Sequence, residues 1–270
     1  MEQVHFTQEK ETMLGTLYGR ALDARRADPI LGDTAADEAV RRIDYDFSRL
    51  GLGQDGATSV AIRALTIDNL AKAWLVDHPD ACVLHLGCGM DTRVSRLDPP
   101  PTVAWYDVDY PEVIALRERL YPARPSYTMI GSSVTDFDWL DQVPADRPTL
   151  VVAEGLTMYL MPEAGGELVR RLAERFPSGR LVCDIFSNFG VKAQAINLVV
   201  RRTNAKLHWG IDDPRELERY GLRLVSSLDA MQWASPDVIA RLPLGARLAF
   251  RFVGVIPPVR RMSRICEWDF

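Results

Sequence analysis

ACVLHLGCGMDTRVSRLDPPPTVAWYDVD, residues 81–109, is the stretch that decides how this chain folds. It opens with an apolar run of the length of a buried strand and turns at Gly87 and Gly89, where glycine allows a close backbone approach. Residues 90–97 can form a helix, and a second apolar run ends at Asp109. This is the order of a nucleotide-binding βαβ unit, with an acid about 20 residues past the first glycine, where it would meet ribose hydroxyls.

The turn itself distinguishes two classes of ligand. A dinucleotide site would carry a third glycine at the position of Thr92 and free backbone N–H groups at the helix start. This chain has Asp91 there, and its negative charge would face the phosphates. S-adenosyl-L-methionine (SAM) has no phosphate and carries a sulfonium and an ammonium group, which suit an acid. The residues therefore favour SAM over NAD, and a glycine turn that only tightens a strand–helix joint is the structural alternative.

Three motifs in order resemble the leucine carboxyl methyltransferase family. They are LGCGMDTR at 86–93, YDVDYPEV at 106–113 and VVAEGLTMYL at 151–160. The stretch TMLGTLYGRALDARRADPILGD, 12–33, is similar to the bacterial branch of that family, which includes a carboxyl methyltransferase of polyketide biosynthesis. The resemblance covers roughly residues 6–255, and three ordered motifs are far more specific than the glycine turn alone.

The order of the elements predicts a doubly wound α/β fold. Strands and helices alternate along most of the chain, which indicates a mostly parallel seven-stranded methyltransferase sheet with helices on both faces and an antiparallel edge. We expect one domain, 1–270, with an N-terminal helical cap over 1–78 and a SAM-binding core over 79–258. A helical insertion is expected near 188–212, and the last strand at 248–256. The helices of the N-terminal segment either pack on the sheet edge or cover the ligand.

Composition excludes several function classes. The chain has 270 residues, of which 47% are apolar and 26% charged, as in ordinary globular proteins. A net charge of −5 gives no sign of a nucleic-acid-binding patch. Because no run has the length of a membrane span and the N-terminus does not resemble a signal peptide, we expect a cytoplasmic protein without a membrane partner. Cysteines and histidines lack metal-ligand spacing, so we expect reduced thiols and no metal.

The resemblance implies that residues near the strand ends bind SAM, where open α/β sheets bind their ligands. Arg63 matches an arginine that meets the SAM carboxylate in similar enzymes, Gly87 contacts the methionine moiety, and Asp109 meets the ribose. Glu154 matches an acid near the SAM amino group, and a cationic ligand would offset the cost of burying a carboxylate without a partner. The predicted cofactor-binding residues are Arg63, Gly87, Gly89, Asp91, Asp109, Ser133, Val134 and Glu154.

Structural alternatives exist for these assignments. Arg63 could lie on a solvated helix face, Asp109 could cap a helix, and Glu154 could pair with an arginine. The adenine-facing pair also departs from the family pattern, because Ser133 and Val134 stand where the family usually has Asp-Leu. The serine hydroxyl can still bond the adenine amino group, and Asp136 is another possible source of a carboxylate.

The resemblance implies methyl transfer to a carboxylate of a small acid. It also implies that this acid is an aromatic polyketide acid in antibiotic biosynthesis. A carboxylate has a pKa near 4 and is ionised at neutral pH, so the enzyme needs no base and must only orient the oxygen and exclude water. We expect a cavity arginine to orient this anion. The candidates are Arg20, Arg93, Arg201 and Arg202, of which the last two are the preferred pair. Arg93 could instead pair with Asp91 or Asp109, and a solvated helix end is the alternative for the preferred pair.

Other functions remain open from the sequence. Phenol O-methylation needs a base for a group of pKa near 10, and His208 would be that base. A SAM-binding protein without catalysis and a nicotinamide dehydrogenase are further alternatives.

The missing third glycine and Asp91 predict the choice of ligand. Isothermal titration calorimetry should show binding of SAM and of its demethylated product S-adenosylhomocysteine (SAH), and no binding of NAD. NAD affinity comparable to that of SAM would contradict this interpretation of the turn.

Overall fold

The chain forms a seven-stranded α/β sheet that follows a helical N-terminal segment. The computed structural model describes residues 2–4, 6, 9–196, 198–242, 247 and 254–270. The strands are β1 (Glu2–Gln3), β2 (Ile43–Asp44), β3 (Cys82–Leu86), β4 (Ala104–Asp109), β5 (Tyr127–Gly131), β6 (Thr149–Ala153), β7 (Gly179–Phe186), β8 (Arg223–Asp229) and β9 (Ser263–Asp269). The described α-helices are α1 (Glu9–Ala24), α2 (Thr34–Arg42), α3 (Gln54–Asp77), α4 (Arg93–Leu97), α5 (Pro111–Leu120), α6 (Pro162–Arg175), α7 (Asn188–Lys192), α8 (Leu198–Thr203), α9 (Pro236–Arg241) and α10 (Pro257–Arg260).

Strand order places a ligand crevice in the middle of the sheet. The order is β5-β4-β3-β6-β7-β9-β8, and β3 to β7 pair in parallel. Strand β9 is antiparallel to both β7 and β8, which confirms the predicted antiparallel edge. The chain leaves β3 toward β4 on one side and later returns to β6 on the other. Ligands bind at such reversal points, beyond the carboxyl ends of the strands.

Helices cover both faces of the sheet, as the continuous apolar runs predicted. All five residues of β3 are buried, and successive side chains point to opposite faces. Leu84 packs in a cluster with Leu168 and Leu172 of α6. Val83 belongs to a different cluster, with Ile67 and Trp74 of α3. The predicted doubly wound architecture is therefore confirmed.

Two local signals set helix starts as expected. The side chain of Asp33 accepts a hydrogen bond from Ala36 N at 3.1 Å and caps α2. Pro111 occupies the first turn of α5, where its missing N–H costs nothing. The helical insertion predicted near 188–212 contains α7, a 3₁₀ segment at Ala193–Ile196 and α8. The division into cap and core stays a prediction.

The prediction of the last strand was wrong. Of the predicted strand, 248–256, residues 248–253 lie outside the described part of the chain, and residues 254 and 255 are helical. The seventh strand of the sheet is β9, which lies beyond the predicted core boundary at residue 258.

Buried polar side chains explain why β9 was missed. Its sequence, SRICEWD, contains charged residues at positions that an interior strand would fill with apolar ones. Arg264 is buried because its guanidinium donates to the carbonyls of Ile211 and Asp212 at 2.8 and 2.7 Å. Glu267 is buried because it accepts from Ser226 Oγ at 2.7 Å. These partners come from distant segments and satisfy Arg264 Nη2 and one carboxylate oxygen of Glu267.

Asp107 of β4 anchors a second buried polar cluster. Its carboxylate accepts from Trp105 Nε1 at 2.8 Å and from Tyr127 OH at 2.5 Å, and it also bonds Arg117. Burial alone would raise the pKa of Asp107, but the Arg117 guanidinium and the neighbouring His85 outweigh burial and lower the pKa to about 2. The ionised carboxylate therefore stabilises the folded state.

We expect Asp107→Asn to lower the free energy of unfolding at pH 7 by about 3 kcal/mol or more, because Arg117 loses its buried partner. The pKa of Asp107 is lower in the folded than in the unfolded chain, so its stabilisation is complete above about pH 5 and is lost as the pH falls toward 2. Urea unfolding between these pH values should show wild-type stability falling by roughly 2 kcal/mol more than that of the variant. Asp136→Asn, at an exposed acid, is the control and should behave as wild type. Parallel pH profiles for wild type and Asp107→Asn would contradict the prediction.

Candidate functional site

A cavity of about 940 Å³ lies at the reversal point of the sheet. Residues that follow the carboxyl ends of β3 to β7 form one side of it, and residues of α1, α3 and the 51–56 loop form the other. A cavity of this size can enclose a ligand as large as a cofactor. The N-terminal helices therefore lie over the ligand crevice as well as beside the sheet.

The glycine turn requires glycine at both positions. Gly87 and Gly89 have φ values of +59° and +48°, in the left-handed region. A Cβ on Gly87 would lie 2.9 Å from Leu156 Cδ1, and one on Gly89 would lie 3.0 Å from Met13 Cβ. The turn is thus packed between a loop of the sheet domain and helix α1, and both glycines line the cavity.

Asp109 holds the turn in place from the neighbouring strand. One carboxylate oxygen accepts from Gly89 N at 2.7 Å, and the other accepts from Tyr110 N at 2.7 Å. Burial raises the pKa of Asp109, and these two backbone hydrogen bonds oppose that effect. Because each carboxylate oxygen has a second lone pair and the side chain lines the cavity, Asp109 can also accept from a ligand hydroxyl.

Glu154 does not lack a partner, contrary to the expectation from its sequence. Oε1 accepts from Arg63 Nε at 3.0 Å, and Oε2 accepts from Arg93 Nη2. Burial would raise the pKa of Glu154, but the two guanidinium groups hold it below its usual value. Arg63 also donates to Asp184 at 2.9 Å and lines the cavity, so it does not lie on a solvated helix face.

Asp91 is likewise paired, and its charge is not left free for a ligand. Its carboxylate lies 3.1 Å from Arg93 Nη1 and 2.7 Å from Arg96 Nη1. Burial would raise the pKa of Asp91, and the neighbouring arginines lower it well below its usual range. Asp91 lines the cavity as predicted, but two arginines on α4 neutralise it.

The predicted adenine end of the site is present in part. Ser133 and Val134 both line the cavity, and the Ser133 hydroxyl lies 3.0 Å from Thr135 Oγ1. Asp136, the suggested substitute for the acid of the family, is exposed and does not line the cavity. The two residues predicted to face the adenine are therefore uncharged.

The structure corrects the preferred acceptor-orienting pair. Arg201 and Arg202 are exposed on α8 and do not line the cavity, because this helix turns Val200 toward it instead. Arg202 donates to the carbonyl of Arg49 at 2.8 Å. Arg20 does line the cavity, where it donates to the carbonyl of Met90 at 3.0 Å and is almost fully buried.

Among the described residues, the histidines offer no free base at this site. His208, the suggested phenol base, is exposed and lies outside the cavity wall. His85 lies in the wall, which the sequence did not indicate, but its Nδ1 is 3.1 Å from Asp107 and its Nε2 is 3.1 Å from Arg93. Both ring nitrogens are thus occupied.

An apolar wall extends the cavity away from the glycine turn. Distant elements contribute its side chains, so no local motif could have identified it. Its residues are Leu52, Val60, Leu160, Phe186, Val200, Leu207, Trp233, Val259 and Met262. This part of the cavity suits a hydrophobic ligand.

Two searches of the described residues bear on partners. In the described ranges, no helix combines the length and the apolar character that a membrane crossing needs. The same residues contain no group of three or more His, Cys, Asp or Glu side chains placed to hold a metal ion. The cytoplasmic location and the lack of a nucleic-acid partner stay predictions.

Comparison with known families identifies the chain. The family model described as leucine carboxyl methyltransferase matches residues 13–173. The chain belongs to the leucine carboxyl methyltransferase family. Membership makes this protein a SAM-dependent methyltransferase, as the motifs predicted.

Relatives of this methyltransferase include proteins from a bacterium and a fungus. It is 44% identical over 275 residues to the tetracenomycin polyketide synthesis O-methyltransferase TcmP of Streptomyces glaucescens, with 100% of this chain and 99% of the relative covered. It is 34% identical over 240 residues to the SAM-dependent methyltransferase dpfgK of Gibberella zeae, with 81% and 80% covered. The resemblance to the bacterial branch of the family is thus confirmed.

Solved structures share the fold of this methyltransferase. A Thermobifida fusca protein assigned as a methyltransferase superposes with a TM-score of 0.60 at 17% identity, covering 97% of this chain and 94% of that one. The plantazolicin methyltransferase BpumL, solved in complex with SAH, gives a TM-score of 0.50 at 11% identity, with 96% and 94% covered. At these identities the likeness concerns the fold alone.

The residues of the cavity fit SAM. Arg63 places a cation at the wall for a carboxylate, and Asp109 offers acceptor lone pairs for ribose hydroxyls. Asp91 and Glu154 also line the cavity, with their carboxylates already paired to arginines. The individual roles of these residues stay predictions.

We expect Asp109→Ala to weaken SAM binding about tenfold or more, because a hydrogen bond to a charged group contributes roughly 1.5–3 kcal/mol. Calorimetry with SAM would measure the change, and circular dichroism would show that the variant folds. Asp136→Ala, which removes an exposed carboxylate outside the cavity, is the matched control and should bind as wild type. If folded Asp109→Ala binds SAM with unchanged affinity, the carboxylate serves only to hold the glycine turn.

Proposed function

We propose that this SAM-dependent methyltransferase methylates a carboxylate oxygen of a small aromatic polyketide acid in antibiotic biosynthesis. The family description names a carboxyl acceptor, and a full-length relative acts in tetracenomycin polyketide synthesis. The proposal rests mainly on one observation within the described cavity wall, which offers no free histidine to act as a general base. A carboxylate acceptor needs none, because its pKa lies near 4.

Two acids and a thiol of the wall support this choice. Asp91 and Glu154 are held ionised by arginines, which makes them weak proton acceptors. Cys88 is buried, and burial raises the pKa of its thiol well above the usual value. A phenol with a pKa near 10 would need a base that competes for its proton at neutral pH. These side chains supply such a base poorly.

The residues of the protein then bind the cofactor and position the acceptor against it. SAM supplies an electrophilic methyl group when bound. Arg63 and Asp109 hold the two polar ends of the site, and Ser133 and Val134 form a neutral surface for the adenine. The apolar wall that includes Phe186 takes the aromatic rings of the acceptor and excludes water from the reacting atoms.

Arg20 is the remaining residue to orient the acceptor carboxylate. Of the four arginines considered from the sequence, it alone lines the cavity. Its Nε lies 3.2 Å from Asp33, and this nitrogen lacks a hydrogen-bond partner among the described residues. A buried donor without a partner favours an added acceptor.

The acceptor class can be tested with matched pairs of polycyclic compounds that differ only in carrying a carboxyl or a hydroxyl group, such as 2-naphthoic acid and 2-naphthol. We expect transfer of labelled methyl from SAM to the acid, with a rate that stays level from about pH 6 to pH 8 because the acid is already ionised. Mild alkaline hydrolysis of the product should release labelled methanol, since esters hydrolyse and aryl ethers do not.

A different result would identify a phenol methyltransferase. Preference for the hydroxyl compounds, an alkali-stable product and a rate that climbs through a pKa near 6.5 would together contradict carboxyl methylation. Arg20→Lys keeps the charge but loses the planar donor pair, and it should raise the KM for the acid more than it lowers kcat.

A further inference from the structure

A continuous network of buried ion pairs lies behind the cavity wall. Each member is within 4.0 Å of the next. The arginines are Arg20, Arg63, Arg93 and Arg96, and the carboxylates are Asp33, Asp68, Asp91, Glu154 and Asp184. No side chain in it is more than 16% exposed. Five acids face four arginines, so these nine side chains carry one uncompensated negative charge. His85, 3.8 Å from Asp91, joins them to the Asp107–Arg117 pair, which adds one charge of each sign.

The shortage of cations falls at one end of the network. Asp33, Asp68 and Asp91 are each shared between two or three arginines, and so is Glu154. Asp184 has only Arg63, which it shares with Glu154. Its Oδ2 accepts from Arg63 at 2.9 Å and its Oδ1 from Gly155 N at 2.6 Å. Burial raises the pKa of Asp184, opposed by Arg63 and the Gly155 N–H, and in the ionised form of Asp184 the excess charge lies beneath Arg63 and Gly155.

This end of the network forms the cavity wall. Arg63, Glu154 and Gly155 line the cavity, and Asp184 lies directly behind them with no exposed surface. Salt ions and water screen a charge poorly where water is excluded, so it acts on a ligand across the wall. The resemblance to the family also places the amino-acid part of SAM here.

SAM and its product differ in charge at this place. SAM carries a sulfonium, an ammonium and a carboxylate, for a net charge of +1. Loss of the methyl group converts the sulfonium into a neutral thioether, so SAH has a net charge of zero. The contacts of the two molecules are otherwise nearly the same. A fixed negative charge in the wall therefore attracts SAM, whereas SAH has no net charge for it to attract.

We propose that the uncompensated charge of this network, carried by Asp184, makes the protein discriminate SAM from SAH and so assists release of the product. Asp184 is then a specificity-determining residue that contacts no ligand. The inference rests on SAM as the cofactor and not on the acceptor, so its failure leaves carboxyl methylation untouched.

Calorimetry with SAM, SAH and sinefungin, a SAM analogue that carries an amine in place of the sulfonium methyl, tests the proposal on the full chain. Asp184→Asn keeps the size of the side chain and brings the network to zero net charge. We expect its affinities for SAM and sinefungin to fall about tenfold, while its affinity for SAH changes less than twofold. The ratio of SAM to SAH affinity is the readout.

Two further variants keep the test decisive. Asp68→Asn removes the same charge from a residue that bridges Arg93 and Arg96 away from the cavity wall, and it should lower the ratio in the same direction. It also replaces Asp184→Asn should that variant fail to fold. Glu267→Gln is the control, because this buried acid bonds Ser226 and Arg180 outside the network.

The outcomes distinguish an effect of the network's charge from a distortion of the binding site. A lower SAM-to-SAH ratio in the network variants, with the wild-type ratio in Glu267→Gln, supports the proposal. An unchanged ratio in a folded network variant, or equal losses for SAM and SAH, would overturn it. Equal losses would mean that the substitution distorts the site without acting through charge.

Discussion

The hydrogen bond from Gly89 N to Asp109 is the interaction on which the site depends. It joins the turn after β3 to the end of β4 at 2.7 Å and fixes the two strand ends that meet at the reversal point. The glycines can follow this path because they tolerate a positive φ, and Met13 of α1 then packs against the turn. One carboxylate thus determines the shape of the turn, the position of the first helix and the entrance of the cavity.

Much of this architecture could be predicted from local sequence. The buried run of β3 and the glycine turn that follows it carry their own signals. Gly87, Asp109 and Ser133 were predicted at the cavity because they follow strand ends, and parallel strands end at one edge of the sheet. Strand β9 could not be found this way, since its buried Arg264 and Glu267 are satisfied by segments remote in sequence.

The charges were the hardest part to predict, because a sequence shows ionisable groups without their partners. Glu154 and Asp91 looked like free acids, and the fold surrounds both with arginines from α3 and α4. Arg201 and Arg202 looked like a substrate clamp, but the phase of a single short helix turns them outward. Ion pairing depends on the packing of distant elements, which no spacing rule contains.

The shared arginines behind the cavity also constrain how this family can diverge. Loss of one member leaves a buried charge without its partner, at a cost of about 3–5 kcal/mol, which is a large part of the 5–15 kcal/mol that usually holds a domain together. Arg93 contacts Asp68, Asp91 and Glu154, so a neutral replacement there removes one arginine partner from three buried acids at once. Residues at such positions can be substituted only when a partner residue is substituted as well. We therefore expect lineages to inherit the network as a block, whereas the apolar wall is free to change with the substrate.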